Sequence, residues 1–394
     1  MEWDSVPLQS AVGYSENLED SYAAGLEMAR TVLSHLTLQK NAVGLLFCNV
    51  HFEFTELLQG IGQELPIPLV GCTTAAEVNS QGFFEESASL IVLTADDVSF
   101  GLGIADKLSV DAEKAVRYAC DSALQMIGNE PVKLVVTFPD TTLKISADGV
   151  LKLVDEIFGG KLPIVGGVPG DNFTFTQAYQ FYNSQVFTDS IPILLLAGNV
   201  DPIVVTRSGW VPTGRKARVT KACGNLLFDI DDKPALEYLQ KYIPTENDPE
   251  ILGSYPLAVH MDTGEGWVIR SPHSYNHERQ CIVYQGDIPQ NAIVQLAYGT
   301  REDILHGVAE ATTALCEHLA GRKPDCILLF SCGGRKLMLG LDTKKEIELI
   351  RRALHADIPI NGFYSYGELA PLDDKFSDVT TNQFHNCTLV LCAL

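Results

Sequence analysis

The chain has 394 residues, 46% of them hydrophobic and 20% charged, which is typical of a globular protein large enough for two domains. Its 50 acidic residues outnumber 28 Lys and Arg and leave a net charge of −22, a surface that repels nucleic acid and anionic membranes. The chain has no apolar run of membrane length, no basic leader at its start and no C-x-x-C pair among its ten cysteines. We therefore expect a cytoplasmic protein with reduced thiols, no membrane insertion and no structural zinc site.

Helical and strand patterns alternate through the first half of the chain. Apolar residues recur at helical spacing over residues 14–38, which predicts an opening helix. Two strand–helix–strand units follow, separated by a predicted strand over 98–105 and a predicted helix over 110–127. The second unit ends in predicted strands over 192–197 and 202–206. This order predicts layers of helices on sheets.

The second half opens with a predicted helix that begins near Pro234. The polar stretch Pro244 to Pro249 is the best candidate for a boundary region. A β-rich segment over residues 257–284 comes next. A predicted strand over 293–298 and a predicted helix over 303–319 then lead into a third strand–helix–strand unit.

The three units share a phrase of the form Pro-x-x-Gly. It begins at Pro68, Pro163 and Pro359, and each copy follows an apolar run and a helical stretch and precedes another apolar run. Small or polar residues follow the Gly, and a carboxylate comes five or six positions after it. Three copies in one setting indicate internal duplication. We predict an α/β fold of two related α/β halves with mixed sheets and internal strand–helix–(P-x-x-G loop)–strand repeats.

The phrase has a physical interpretation. Pro cannot continue a helix, the two residues after it form a short buried strand, and Gly permits an unusual backbone angle or a close backbone approach. The polar loop then lies at the carboxyl end of a strand, where open α/β sheets bind ligands. We expect the three copies to form a ligand-facing rim. The alternative is that each loop is only a tight turn.

Several motifs resemble those of one known family. Residues 71–77, Gly-Cys-Thr-Thr-Ala-Ala-Glu, resemble the G-C-S-T-A-G-E box of the FIST sensory domain family. Residues 166–172 are similar to its G-G-x-x-G-D segment, and residues 208–220 to its G-W-x-P-x-G…V-T stretch. Residues 330–335 and 362–371 resemble marks of its C-terminal half. These motifs occur in the family's order along nearly the whole chain.

The resemblance implies a FIST N-like domain over 1–231 and a FIST C-like domain over 232–394. It also implies a sensor module that binds a small, amino-acid-like ligand. Such a module acts in trans on a signalling partner such as a histidine kinase or a cyclic-dinucleotide enzyme. Ala76 stands where the family has Gly, and Val168-Pro169 stiffens the middle loop. Both departures reshape a pocket, so the identity of the ligand is not carried over.

The expected ligand contacts are residues of the three loops and nearby charged or aromatic positions. They are Cys72, Thr73, Thr74, Glu77, Gly166, Gly167, Asp171, Asn172, Arg270, Cys332, Arg335, Tyr364, Tyr366 and Glu368. Arg335 is interpreted as a clamp for an acidic ligand or as one half of a salt bridge. The three acids, Glu77, Asp171 and Glu368, are expected to hold a ligand amine, to act as general acids or bases, or to cap the element after each loop. The two tyrosines alternate on an extended stretch and form a ligand wall or core packing.

Two alternative functions remain open. Cys332, at the end of a predicted strand, would be the nucleophile of a thiol-dependent enzyme, or else a packed thiol beside a turn. Some proteins that resemble this family bind haem and sense nitric oxide. A haem-based sensor would use His260, His273 or His277, which lie in the β-rich segment that interrupts the repeats. The expected function is nevertheless a non-catalytic ligand sensor.

Overall fold

The computed structural model describes residues 8–141, 145–242, 255–260, 266–354, 357–372 and 381–394. The stretch Pro244 to Pro249, expected to be a boundary region, lies outside them.

The helices are α1 Ser21–His35, α2 Phe54–Glu64, α3 Ala112–Ile127, α4 Ala147–Ile157, α5 Ala235–Gln240, α6 Arg301–Leu319, α7 Gly333–Leu339 and α8 Lys344–Leu354, with a 3-10 turn at Gly340–Asp342. The first strands are β1 Gln9–Ser15, β2 Asn41–Cys48, β3 Leu69–Thr73, β4 Glu77–Asn79, β5 Gly82–Phe84, β6 Ala88–Ala95, β7 Val98–Ala105, β8 Val132–Thr137, β9 Ile164–Gly167, β10 Gln180–Tyr182, β11 Gln185–Phe187, β12 Ile191–Gly198 and β13 Ile203–Arg207. The others are β14 Val211–Cys223, β15 Leu226–Ile230, β16 Lys233–Pro234, β17 Leu257–His260, β18 Trp267–Arg270, β19 Pro272–Asn276, β20 Cys281–Tyr284, β21 Ile293–Tyr298, β22 Ile327–Cys332, β23 Ile360–Ser365, β24 Glu368–Pro371, β25 Asn382–His385 and β26 Leu389–Ala393.

Polar side chains determine where several helices begin. Asp20, Asp111 and Ser146 accept a first-turn amide at the starts of α1, α3 and α4. Thr300 and Asp303 form a reciprocal capping box at the start of α6. These bonds satisfy amides that a helix cannot pair internally. None of the helices in the described residues has the length and apolar character needed to cross a bilayer.

The chain repeats one arrangement three times. Each unit has an edge strand, a helix, an inner strand, one or two further helices, the Pro-x-x-Gly strand, a hairpin and a final strand. Unit 1 runs from β1 to β6, unit 2 from β7 to β12, and unit 3 consists of β13 followed by α6 to β26. The described residues between Val211 and Tyr298 form a β-rich insertion inside unit 3. The predicted α/β class with mixed sheets and internal repeats is therefore confirmed.

The three units exchange their hairpins. The sheet orders are β1-β6-β2-β3-β10-β11, β7-β12-β8-β9-β24-β25 and β13-β26-β22-β23-β4-β5, with one parallel pair in each. The sheet of unit 1 thus includes the hairpin of unit 2, that of unit 2 the hairpin of unit 3, and that of unit 3 the hairpin of unit 1. The sequence suggested two related halves, whereas the sheets form a ring of three units. The ring closes because a hairpin from another unit pairs with the open edge of each Pro-x-x-Gly strand.

The Gly of each phrase packs against a parallel neighbour at very short range. A Cβ built on Gly71, Gly166 or Gly362 would lie 1.9, 1.9 or 1.7 Å from a carbonyl oxygen of the adjoining strand. Of the three, Gly166 has a positive φ, 144°. Close backbone approach is therefore the requirement that all three glycines share.

A cluster of phenylalanines marks the approximate threefold axis of the ring. Phe47, Phe138 and Phe330 occupy equivalent positions, with ring centroids 5.3, 6.4 and 6.1 Å apart, and Phe363 packs against all three. The inner faces of the three sheets surround this cluster with apolar side chains. The helices cover the outer faces. This layering accounts for the nearly unbroken apolar runs of the inner strands.

The insertion forms a sheet of order β18-β17-β21-β14-β15-β20-β19, with β16 paired to β15. Its own apolar core includes Val219, Ile282 and Tyr284. The predicted domain boundary falls between Asp231 and Asp232, which both have positive φ in the tight turn that joins β15 to β16. Strands from both sides of this turn share three of the four sheets in the described chain.

Candidate functional site

The three phrase loops meet near the threefold axis: loop 1 (residues 73–76), loop 2 (residues 168–172) and loop 3 (residues 364–367). Loops 1 and 3 exchange backbone hydrogen bonds of 3.0 and 2.9 Å. Loop 2 donates to loop 1 at 3.0 and 3.2 Å and exchanges bonds of 2.8 and 3.0 Å with loop 3. Almost every residue of the three loops is buried. The loops therefore form an interlocked plug, and most of their polar groups are occupied by one another.

The predicted ligand residues of loop 1 serve this internal packing. The Thr73 hydroxyl accepts the amide of Tyr179 at 3.0 Å, and the Thr74 hydroxyl donates to the Glu77 carboxylate. Cys72 lies in the apolar core, where burial raises the pKa of its thiol well above the usual value. None of these side chains reaches the cavity described below.

The predicted residues of the middle phrase also bond within the ring. Gly166 and Gly167 are buried in β9, where they pair with Leu369 and Glu368 of the hairpin of unit 3. The Asn172 amide donates to a loop 1 carbonyl at 3.2 Å. These three residues position loop 2 between its neighbours.

A buried polar side chain begins each exchanged hairpin. Glu77, Gln180 and Glu368 occupy equivalent positions, each opposite the residue that follows a phrase Gly. Each accepts the hydroxyl of the Ser or Thr just before the final strand of its unit, at 2.9, 2.7 and 2.6 Å. Burial raises the pKa of Glu77 to about 8 and the pKa of Glu368 well above its usual range. The third equivalent is thus Gln180, where sequence spacing suggested Asp171.

Asp171 instead organises the segment that continues from the last residue of loop 2, which we call the loop 2 extension (residues 172–177). Its carboxylate accepts three amides of this segment at 2.9, 2.6 and 3.0 Å and the Tyr366 hydroxyl at 2.6 Å. Burial acts to raise the pKa of Asp171, but these bonds outweigh it and the pKa lies below its usual value. They also hold Phe173 and Phe175 at φ of 63° and 51°, which bulky residues seldom adopt.

Arg335, Glu346 and Tyr364 form a buried network beneath α7. The Arg335 guanidinium is fully buried and pairs with the Glu346 carboxylate at 2.5 and 2.9 Å. It also donates to the carbonyl oxygens of Ser208 and Ile304. The Tyr364 hydroxyl donates to the same carboxylate. The salt-bridge interpretation of Arg335 therefore fits, and its donors are directed at protein groups.

Arg270 fastens the insertion to the ring. Its guanidinium donates to the Asp148 carboxylate at 2.6 Å and to the carbonyl oxygens of Asp287 and Phe384 at 3.0 and 2.8 Å. These partners come from α4 of unit 2, from the insertion itself and from β25 of unit 3. Arg270 is buried among them, so it joins elements and does not face the cavity.

A cavity of about 540 Å³ lies between the insertion, loop 3, α7 and the loop 2 extension. Its wall consists of Phe173, Phe175, Trp210, Ser271, Pro272, His273, Gln285, Cys332, Gly333, Gly334, Leu337, Met338, Ser365, Tyr366 and Cys387. Of the predicted ligand residues, Cys332 and Tyr366 belong to this wall. Its volume and its largely apolar lining suit a small organic ligand.

One side of this cavity is an aromatic wall. The rings of Phe175 and Tyr366 stack with centroids 4.4 Å apart and planes inclined by 22°. Phe173 lies 5.8 Å from Tyr366, and the Lys336 ammonium, paired with Glu85, lies 5.0 Å from the Phe173 ring. Sequence reasoning missed both phenylalanines. The available signal was Phe-Thr-Phe, two aromatic residues in an otherwise polar loop directly after Asp-Asn.

Of the three histidines considered for haem, His273 belongs to the cavity wall. His260 bonds Gln295 at 2.8 Å on the insertion sheet, and His277 is exposed. The His273 ring lies 5.4 Å from that of Phe175, and burial lowers the pKa of His273. Its imidazole is therefore neutral near pH 7, which is the form that binds iron.

The thiol of Cys332 is poorly suited to nucleophilic catalysis. A hydrogen bond with the Cys387 thiol and burial together hold the pKa of Cys332 well above its usual value. Such a thiol has a small thiolate fraction at neutral pH, and the thiolate is the nucleophile. The interpretation of Cys332 as a packed thiol beside a turn fits better.

Comparisons with known proteins match nearly the whole chain. The FIST N domain matches residues 42–233, and the FIST C domain matches residues 235–371. The chain is 27% identical over 199 residues to the uncharacterized protein MJ1623 of Methanocaldococcus jannaschii, a match that covers 48% of this chain and 38% of that relative. Among solved structures, PurLQS from Thermotoga maritima aligns with 99% of this chain and 74% of its own at 12% identity, but the TM-score of 0.22 is too low to indicate a shared fold.

Proposed function

The chain belongs to the FIST family, whose domains are associated with signal-transduction sensing, and we propose that it senses a small ligand bound in the cavity beside α7. The observation that carries this proposal is the aromatic wall, because stacked rings held by buried hydrogen bonds form a preorganised surface for a ligand. FIST domains are sensory domains and are not known as a family of enzymes.

The chemistry of the wall favours a flat aromatic ligand with little negative charge. The nearby guanidinium groups of Arg270 and Arg335 are bound to protein partners, and Lys336 is paired with Glu85. A ligand ring would stack beside Tyr366 and the two phenylalanines. The hydroxyl of Ser271 and the amide of Gln285 would bond its polar atoms. This proposal departs from the clamp for an acidic, amino-acid-like ligand that the sequence suggested.

Helix α7 supports a route from the ligand to a partner. Leu337 belongs to the cavity wall and is also 66% exposed, and Leu341, just after the helix, is 96% exposed. A ligand that shifts α7 therefore changes an apolar surface that a partner can contact. We infer that this surface engages a cytoplasmic signalling protein such as a histidine kinase or a cyclic-dinucleotide enzyme.

The test is the binding of an uncharged fluorescent aromatic probe, N-phenyl-1-naphthylamine, to the full chain. Phe175→Ala should weaken binding by roughly 10-fold or more, as expected when one stacking face of an aromatic pair is lost. Tyr118→Ala is the matched control, because Tyr118 is 64% exposed on α3 and far from the wall in the chain. Equal affinities for both variants, with unchanged melting temperatures, would contradict the proposal.

A second candidate, a haem-based nitric oxide sensor, is favoured by the neutral imidazole of His273 in this apolar wall. His273 would hold the iron, and the phenylalanines would contact the porphyrin. Bound haem would supply the iron atom that takes nitric oxide. In a hemin titration, His273→Ala should abolish the Soret shift, whereas His277→Ala should leave it unchanged. A wild-type spectrum for His273→Ala would rule out this assignment.

A further inference from the structure

Two cysteines lie side by side in the cavity wall. Cys332 ends β22, and its amide donates at 2.9 Å to the carbonyl of Thr388, the residue after Cys387. A methyl group built on Gly334 would lie 3.6 Å from both sulfur atoms. The Ser271 hydroxyl lies 3.1 Å from the Cys387 sulfur. Both thiols border the cavity, so a small molecule that enters it meets them together.

Comparison with the other two units shows what these positions require structurally. Asn49 in unit 1 and Asp140 in unit 2 have the same strand register as Cys332, and an acidic residue replaces Cys387 in both. The Asp140 carboxylate accepts the Asp189 amide at 3.0 Å, and the Cys332 sulfur accepts the equivalent amide of Cys387. Sulfur is a weak acceptor for this bond. Cysteine thus occupies both positions in unit 3, where each of the other two units has polar or acidic residues.

We propose that Cys332 and Cys387 form a reversible disulfide in the cavity wall by exchange with a low-molecular-weight disulfide, RSSR. Cys387 gives up its proton, and its thiolate, next to the Ser271 hydroxyl, attacks one sulfur of RSSR. The S–S bond breaks, and the departing thiolate takes up a proton to become RSH. The product of this step is a mixed disulfide on Cys387.

The second step is intramolecular. The deprotonated Cys332 attacks the Cys387 sulfur, expels the second thiolate as RSH after proton uptake, and closes the protein disulfide. The two protein thiols have lost two electrons and two protons, and RSSR has gained both as two RSH. Proximity to the mixed disulfide offsets the low thiolate fraction of Cys332. The product ties the start of α7 to the turn before β26, so the redox state alters the wall of the cavity.

The test is exposure of the full chain to oxidised glutathione, followed by alkylation of the remaining thiols under denaturing conditions and peptide mapping by mass spectrometry. The expected product is one intramolecular disulfide between Cys332 and Cys387. The exposed Cys223 and Cys316 should take up single glutathione adducts and so verify the reagent. Cys332→Asn, which restores the residue of unit 1, should stop at the mixed disulfide on Cys387.

Two other neighbouring pairs are internal controls. Cys48 lies near Cys72, and Cys326 near Cys392, and all four are buried in the core away from the cavity. They should stay reduced. The proposal is overturned if the Cys332–Cys387 disulfide is missing while the exposed cysteines react, or if all pairs oxidise equally. The map of the wild-type chain decides this even if a variant fails to fold.

Discussion

Gly362 illustrates how the absence of a side chain allows two parallel strands, β22 and β23, to pair closely. Its Cβ position lies 1.7 Å from the carbonyl oxygen of Leu329, a backbone atom of β22 that cannot turn aside. Gly362→Ala should therefore force β22 and β23 apart and lower the free energy of unfolding by about 3–5 kcal/mol. Chemical denaturation followed by circular dichroism measures the change.

Gly62→Ala is the control for this variant. Gly62 lies in α2 with no atom within 4 Å of its Cβ position, so Ala there should stabilise the chain by about 0.5–1 kcal/mol. If the two substitutions have similar effects, close approach is not the reason for the phrase Gly.

The buried carboxyl of Glu77 predicts a pH dependence of stability. Burial raises its pKa from the ordinary 4.5 to about 8 in the folded chain. Between these values the folded state binds more protons than the unfolded state, so stability falls as pH rises through this window. Glu77→Gln, which introduces the residue type of Gln180, should remove roughly 2–5 kcal/mol of this decline, at about 1.4 kcal/mol for each pKa unit.

Urea unfolding measured from pH 4.5 to 8 tests this prediction. The decline should be smaller in Glu77→Gln but not absent, because burial also raises the pKa of Glu368. Glu348→Gln, at an exposed position of α8, should follow the wild-type curve. If Glu77→Gln shows the same decline of stability with pH as the wild type, the Glu77 carboxyl is ionised across this pH range.

At the scale of elements, the loop 2 extension depends on one carboxylate. Asp171 holds three amides of residues 172–177 and the Tyr366 hydroxyl, and the segment it holds carries both phenylalanines of the cavity wall. Asp171→Ala should leave these amides unpaired and lower the free energy of unfolding by about 2–3 kcal/mol. Hydrogen exchange should quicken selectively in residues 172–177, and probe binding should weaken with it.

Asp121→Ala is the control, since Asp121 is exposed on α3. It should change neither exchange in the loop 2 extension nor probe binding. Unchanged exchange in Asp171→Ala would show that packing of the aromatic rings alone holds the segment.

Element prediction from sequence worked best where the signal lies within one short segment of the chain. The pattern over residues 110–127, for example, predicts helix α3 (Ala112–Ile127), because such a signal depends on neighbours in the chain. The equivalence of Gln180 with Glu77 could not be read this way. The loop 2 extension lengthens the spacing between the phrase Gly of unit 2 and the hairpin that follows it. Gln180 is matched with Glu77 only by its register opposite a strand of another unit.

At the scale of the whole molecule, hairpin exchange makes the units mutually dependent. β4, the first strand of the hairpin of unit 1, pairs with β23, and β24, the first strand of the hairpin of unit 3, pairs with β9 of unit 2. A fragment of residues 1–231 would therefore have open sheet edges and an exposed axis core. We predict that this fragment alone shows no cooperative thermal transition, and that coexpression with residues 232–394 restores one.

Thermal melting followed by near-ultraviolet circular dichroism compares the fragment, the coexpressed pair and the intact chain. The coexpressed pair is the control for the chain break itself. If the isolated fragment melts as cooperatively as the intact chain, the predicted domains fold independently and exchange only adds contacts.

The sequence by itself determined the α/β class, the three repeated phrases and the family, because each is recorded in short-range pattern: periodicity, a Pro followed by Gly, and motif order. Only the tertiary structure decided that the repeats close as a ring, that Arg335 and the phrase loops turn inward, and that Phe173 and Phe175 form a cavity wall. The physical reason is that the sequence does not show whether the partner of a polar side chain is a ligand or a protein group from a distant unit. Burial and pairing across units make that distinction, and both depend on contacts between residues far apart in the chain.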